Sequence, residues 1–262
     1  MGQATFRRPS VELKSADDIA RMRKAGQIAG QTLVEVKKAA KPGVTTKDLS
    51  KLAEKFIRKS GAVPTFIGYR GYPAALCVSI NEEVVHGIPS DRIIKSGDIV
   101  SVDVAATIDG FVGDTATTFI IGEPKASAHQ TLVKATKDSL YAAIDAMKVG
   151  ARLGDVSSAV EKFVEPYSFG VVRDFVGHGI GRTMHEEPSV PNYGTAGTGL
   201  KLEPGLVIAI EPMITLGSWE VKMLNDGWTV ITADGSMAAH FEHTIALTKE
   251  GPVILTKVEE GD

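Results

Sequence analysis

Two stretches decide the fold: KPGVTTKDLSKLAEKF at 41–56 and KVGARLGDVSSAVEKF at 148–163. Laid over each other without a gap, they share Lys, Gly, Asp, Ser, Glu, Lys and Phe at a constant offset of 107, with Lys41 on Lys148 and Phe56 on Phe163. Helix-entry chemistry, a glycine followed by an acid near a helix start, accounts for part of the match. It does not account for the shared Glu-Lys-Phe. A second match follows each stretch. GDIVSVD, Gly97 to Asp103, lies over GLVIAIE, Gly205 to Glu211, at an offset of 108. Each is an apolar strand pattern ending in a carboxylate six residues after a glycine. The chain therefore reads as a tandem duplication, with halves at about 12–122 and 123–258 behind a short arm, 1–11. Folded about a pseudo-twofold axis, such halves bring Asp103 and Glu211 together at the centre, a common place for a site.

Outward from these stretches the element order repeats. Ser15 to Ala40 opens with a serine cap and two acids, then sets Ile19, Met22, Ala25, Ile28, Leu33 and Val36 at helical spacing until Pro42 and Gly43 stop it. Thr46 to Ser60 reads as a second helix, and short β-branched runs from Phe66 to Ile121 read as strands. Helical patterns return at Ser127 to Met147 and Gly154 to Tyr167, followed by strand-like segments to Val258. The fold class expected is α+β, with 1–262 forming a single domain.

Composition removes several classes of function. Among 262 residues, 29 Lys plus Arg face 32 Asp plus Glu for a net charge of -3, which excludes a nucleic-acid binder held mainly by phosphate contacts. With 43% apolar and 23% charged residues the chain is globular. The single cysteine, Cys77, permits neither an internal disulfide nor a cysteine zinc cluster and fits a reducing, cytoplasmic setting. No stretch approaches a membrane span or signal peptide, and Phe6 stands where a myristoylation motif starting at Gly2 needs Ser or Thr.

The acids carry the chemistry. In VSVDVAATIDGFVGDTATTFI, Asp109 and Gly110 are a strong hairpin signal. A turn there pairs residues whose numbers sum to 219, so Asp103 faces Ala116 and Asp114 faces Ala105. Asp103 and Asp114 then sit diagonally on one face, within about 8 Å of each other from backbone to backbone, and repel unless a cation lies between them. Read on this hairpin alone, one acid could equally face water while the other caps a turn. The second half adds Glu211, Glu242 in HFEHTIALT, and His178 in FVGHGIGRTMHEEP. Hard oxygen ligands with one imidazole suit Mn, Fe, Co or Zn. Four carboxylates are neutralised by two divalent ions, whereas one ion leaves two negative charges in a cleft of low dielectric. A pair of ions about 3.5 to 4 Å apart generates a hydroxide nucleophile and polarises a carbonyl, so hydrolysis is the reaction class. Five of the six histidines, His86, His178, His185, His240 and His243, fall in strand or Gly-rich segments, and His129 falls in a solvated helix. His243, next to Glu242 and pointing the other way on a strand, reads as structural. Arg182 spoils GHGIGR as a dinucleotide fingerprint, and HEEPS at 185 lacks the second His of a zinc helix.

The ordered set VVHGIP, SVDVAATIDGFVGDTATT, GHGIGRTMHEEP, IEPM, DGWTV and HFEHT resembles the type I methionine aminopeptidases over nearly the whole chain. The resemblance implies the pita-bread fold: two pseudo-twofold-related halves with a curved antiparallel sheet and helices on its outer face. It implies removal of the initiator methionine from nascent polypeptides whose second residue is small, by a metal-bridging hydroxide attacking the first peptide bond. It makes Asp103, Asp114, His178, Glu211 and Glu242 the ligands of two divalent ions per chain. Asp114 and Glu242 bridge both, Asp103 holds one, and His178 with Glu211 holds the other. Glu211 is also the proton acceptor, His185 stabilises the oxyanion, and His86 positions the peptide. Tyr69, Tyr72, Cys77, Met184 and Trp228, with His86 and His185, match the substrate pocket, where aromatic and sulfur groups suit a thioether. Considered apart from the family, Tyr72 and Cys77 read as core. Met184, Arg70 and His240 depart from a usual Phe, His and Gln. The 33 residues from His178 to Glu211 leave no room for the insertion of the type II enzymes. A cytoplasmic monomer acting on nascent N-termini is expected, with room for transient ribosome contact, and with neither membrane nor sequence-specific nucleic acid as partner.

Overall fold

A computed structural model describes residues 11–258. The expected arm at 1–11, Val11 apart, and the myristoylation reading at Gly2 lie outside the described residues. Among the described residues four α-helices come in two pairs: α1 (Ala16–Ala39) with α2 (Thr46–Lys59), and α3 (Ser127–Ala146) with α4 (Leu153–Val164). Helix α1 starts on a capping box: the Ser15 hydroxyl accepts the Asp18 N–H, and the Asp18 carboxylate accepts the Ser15 N–H. The repeated Asp48 and Asp155 both serve helix starts. The Asp48 N–H donates to the Thr45 hydroxyl ahead of α2, and the Asp155 carboxylate accepts the Arg152 N–H ahead of α4. Part of the sequence repeat is thus helix-capping chemistry, placed where the two α2-type helices begin. Helix α4 starts one residue earlier than read and closes at Val164. A single 3₁₀ turn, Glu165–Tyr167, follows, because Pro166 cannot continue the α-helical hydrogen bonding.

The strands form sheets that repeat in the same order. In the first half, Ile99–Ile108 runs antiparallel between Cys77–Ile80 and Phe111–Ile120. In the second, Val207–Ile210 runs antiparallel between Gly177–Gly179 and His243–Thr248. The Asp109-Gly110 hairpin has the register expected, Asp103 opposite Ala116 and Ala105 opposite Asp114. The region from Phe66 does not begin as a strand. Tyr69–Gly71 is a 3₁₀ turn in which Arg70 is left-handed, with φ of 48°. The α+β class holds, and no described helix is long and apolar enough to cross a membrane.

Helices cover one face of each of these two sheets. Leu33, Val36, Leu49, Ala53 and Ile57 of α1 and α2 pack on Val100, Val102 and Val104, while Leu140, Ile144, Val156 and Val160 of α3 and α4 pack on Ile208, Ile210 and Ile245. Helix α1 approaches the hairpin backbone to backbone. A Cβ on Gly113 would lie 2.3 Å from the Gly26 nitrogen, so only glycine fits there. The halves meet along strand Phe111–Ile120. Ala116 and Glu242 exchange backbone hydrogen bonds of 3.3 and 3.0 Å, and the Thr115 hydroxyl donates to the Glu242 carbonyl at 2.8 Å.

Candidate metal centre and cleft

The joint between the halves sets the acids. Strand Phe111–Ile120 has Ile99–Ile108 on one side and the Glu242 segment on the other. Asp103 and Glu242 therefore both oppose Ala116, and Asp114 lies two residues along on the same face. Glu211 follows strand Val207–Ile210, and Asn192 holds it by donating Nδ2–H to its carbonyl at 3.0 Å. His178 comes from the middle of strand Gly177–Gly179, where a Cβ on either glycine would collide with backbone oxygens at 2.3 and 2.1 Å. The glycines let the neighbouring strands close around the imidazole. One ligand atom each from Asp114, His178 and Glu242 lie within 4.8 Å of one another.

The electrostatics are those of a site built for cations. Asp114, His178 and Glu242 are buried, and Asp103 and Glu211 open partly onto the cleft. Asp103 Oδ1, Asp114 Oδ1 and Glu242 Oε1 are buried without a hydrogen-bond partner among the described residues. Orphaned carboxylate oxygens cost several kcal/mol each unless a proton or a cation serves them. Without a cation, protons do. Burial pushes Asp103 up to about 7 and Glu211 up to about 8, and it pushes Asp114 and Glu242 well above the carboxylate range, with the neighbouring carboxylates adding to it. His178 has the opposite character. Its Nδ1 lies 2.9 Å from the Gly179 carbonyl, which can only accept, so the proton belongs on Nδ1 and Nε2 presents a lone pair 3.6 Å from Glu211 Oε1. Burial, with His185 adding to it, lowers His178 to about 3 and keeps it neutral. This is the state in which histidine binds metals. The donor set fits divalent cations.

Above the acids lies a cleft of about 250 Å³. Every residue expected in the pocket, Tyr69, Tyr72, Cys77, His86, Met184, His185 and Trp228, lines it together with the five acid and imidazole groups. Tyr72 and Cys77 are also core, 3% and 4% exposed, which agrees with their reading apart from the family. Tyr72 is tied down by donating to the Gly87 carbonyl at 3.0 Å, and its ring meets Trp228 edge-on with centroids 5.0 Å apart. The Tyr69 hydroxyl lies 2.8 Å from His185 Nδ1, with the two rings stacked. His86 is left-handed, with φ of 61°, and its ring packs edge-on against Phe175 and Trp228. Burial lowers His86 to about 4 and also lowers His185, whose second cause is the Arg70 cation at the rim.

Other expectations resolve individually. His243 turns away from the acids and sits 2.8 Å from the Thr256 hydroxyl, a structural residue as read. His129 is not solvated as expected; it is half-buried in α3, with Nδ1 enclosed and unpartnered among the described residues. Phe66 and Phe175 line the cleft and were not foreseen. Phe175 stands three residues before His178, a spacing that could have flagged it. Asn192 gave no signal, since its role depends on a contact with Glu211 across two strands.

Comparison with known proteins agrees with this geometry. Residues 20–249 match metallopeptidase family M24. The chain is similar to "Methionine aminopeptidase" of Clostridium acetobutylicum, 52% identical over 94% of this chain and 99% of that protein. It is 48% identical to "Methionine aminopeptidase 1" of Bacillus subtilis over 94% and 98%. The crystal structure of methionine aminopeptidase from Thermotoga maritima superposes with a TM-score of 0.93 at 48% identity, covering 95% of this chain and all of that one.

Proposed function

The chain belongs to metallopeptidase family M24, and from that premise we propose that it removes the initiator methionine from nascent polypeptides whose second residue is small. Asp103, Asp114, His178, Glu211 and Glu242 would hold two divalent ions, with Asp114 and Glu242 shared between them. The observation that carries this reading is the set of three buried, unpartnered carboxylate oxygens beneath a cleft walled by aromatic and sulfur groups. Such a pair of ions supplies water of lowered pKa as the nucleophile and polarises the scissile carbonyl.

The chain's own groups do the rest. The cleft holds one extended, unbranched side chain against Tyr72, Cys77, Met184 and Trp228, a lining suited to a polarizable thioether. Glu211 opens onto the cleft and accepts the proton of the attacking water. The Tyr69 phenol donates to His185 Nδ1, which leaves the imidazole proton on Nε2, free to donate to the oxyanion as it develops. His86, fixed between Phe175 and Trp228, positions the peptide. Arg70, exposed at the rim with its guanidinium over the Tyr69 ring, would meet the peptide beyond its first residue. The whole chain acts as one catalytic domain, a cytoplasmic monomer that meets its substrates, and transiently the ribosome, as chains emerge.

The test is metal analysis combined with hydrolysis of Met-Ala-Ser, Met-Gly and Ala-Pro peptides before chelation, after it, and after re-addition of Co, Mn, Fe or Zn singly. Methionine release that stops on chelation and returns with two ions per chain is expected. Hydrolysis that persists in fully chelated protein, or a preference for Ala-Pro, sinks the reading.

A further inference from the structure

His240 closes strand Ala238–His240 and is 2% exposed. Its backbone is held from two sides. The N–H donates to the Thr118 hydroxyl at 2.9 Å and that hydroxyl donates back to the His240 carbonyl at 2.6 Å, while the other strand edge pairs His240 with Met213. The imidazole has little freedom, and its Nε2 ends 3.7 Å from Glu211 Oε2, buried and without a hydrogen bond among the described residues. Glu211 shows its other oxygen, Oε1, to His178 at 3.6 Å. One carboxylate thus stands between two imidazoles, one oxygen for each.

The two rings are set up for different tasks. His178 spends its Nδ1 proton on the Gly179 carbonyl, and its Nε2 is the lone-pair end. No carbonyl clamps the His240 ring among the described residues, so its proton is free to sit on Nε2. From this we propose that His240 is a positioning residue: its Nε2–H donates to Glu211 Oε2, so that Oε1 alone turns to the cation faced by His178. The 3.7 Å separation is about 0.7 Å beyond an ordinary N–H···O bond. With the His240 backbone pinned on both edges, a small rotation of the Glu211 side chain is what closes it. The proposal rests on the reading of the five side chains as cation ligands and adds a group whose task is to orient one of them.

Two variants of metal-free protein, each titrated calorimetrically with Mn and followed by Co absorption spectra, test it. His240→Leu fills the space without a donor; His240→Gln keeps an N–H donor on a side chain that ligates divalent metals poorly. If His240 positions Glu211, Leu weakens one of the two binding events by roughly 10- to 100-fold, the cost typical of losing a group that orients a metal ligand. Gln restores affinity to within a few-fold, and neither variant alters the Co ligand-field bands as loss of an imidazole ligand would. Unchanged affinity in the Leu variant overturns the proposal and makes His240 packing alone. Equal loss in both variants with altered Co bands overturns it in favour of His240 as a ligand. Wild-type protein that binds no pair of cations overturns this proposal together with the reading beneath it.

Discussion

Thr244 and Asp114 exchange two hydrogen bonds across the joint between the halves: the Thr244 hydroxyl donates to the Asp114 carbonyl at 2.8 Å and accepts the Asp114 N–H at 3.1 Å. Thr118 clasps His240 in the same way from the opposite half. Between these clasps lies the Ala116–Glu242 bridge, so three successive contacts keep one antiparallel register. That register places Asp114 within reach of Glu242, although no turn connects the two segments.

Removing the Thr244 hydroxyl in Thr244→Val leaves a buried N–H and a buried C=O of Asp114 unserved, at a cost of roughly 1–3 kcal/mol. In a chain of this size that corresponds to a fall in melting temperature of several degrees. Because Asp114 is also displaced, metal affinity falls in parallel. Calorimetric melting of the chelated protein together with a metal titration measures both; an effect on stability with metal binding untouched would show that the clasp does not set the acid's position.

Asp114→Asn and Glu242→Gln each remove one negative charge and one carboxylate oxygen from the buried acidic cluster. Each is expected to lower peptide hydrolysis by orders of magnitude and to weaken metal loading by at least 10-fold. Full turnover by Asp114→Asn carrying two measured ions would refute the sharing of that carboxylate.

The metal-free protein is expected to lose stability as pH rises from 6.5 to 8. In that window the unfolded chain has released its carboxyl protons, of ordinary pKa about 4, and is losing the remaining half of its imidazole protons, of ordinary pKa about 6.5. Folded, Asp103 keeps its proton to about 7 and Glu211 to about 8, with Asp114 and Glu242 raised as well. The native state binds more protons, so the slope of stability against pH is negative, on the order of 1–3 kcal/mol across the window. The buried neutral His86, His178 and His243, lowered to about 4, 3 and 4, act in the opposite sense, chiefly below 6.5 and fading by about 7.5 as the unfolded imidazoles finish titrating. With metal bound the acids are ionised and compensated, and the decline disappears. Melting curves at pH 6.5 and 8, with chelator and with Mn, decide it; a chelated protein more stable at pH 8 contradicts the raised carboxyls.

Legibility in the sequence followed the range of the interaction. The Asp109-Gly110 turn fixed the register of its own hairpin, and with it the diagonal of Asp103 and Asp114, because a two-residue turn leaves no freedom between its strands. The capping of α2 and α4 was equally local. The contact of Glu242 with Ala116 spans more than a hundred residues without a turn to set it, and no periodicity encodes such a register. The second half's acids could therefore be named from the repeat and from family resemblance, but not placed. Phe66 escaped for the same reason, since an aromatic residue in a loop acquires a partner only when distant segments meet, whereas Phe175 had a local signal in its spacing from His178. The half-burial of His129 is illegible for a related reason: helical spacing states which residues share a face and does not state how far the rest of the fold encloses each of them.

Tyr69→Phe isolates the orientation of His185. The phenol oxygen is 2.8 Å from His185 Nδ1, and the stacked ring contact survives its loss, so the imidazole stays in place while its tautomer is no longer fixed. One neutral hydrogen bond is worth about 0.5–1.5 kcal/mol, which predicts a 2- to 10-fold fall in kcat for Met-Ala-Ser with KM and metal content nearly unchanged. His185→Ala removes the donor itself and is expected to lower kcat considerably more, again without loss of metal. If the alanine variant loses metal as strongly as Asp114→Asn, His185 is a ligand and its oxyanion role is wrong. A Tyr69→Phe enzyme with a raised KM and intact kcat would instead make Tyr69 a wall of the pocket.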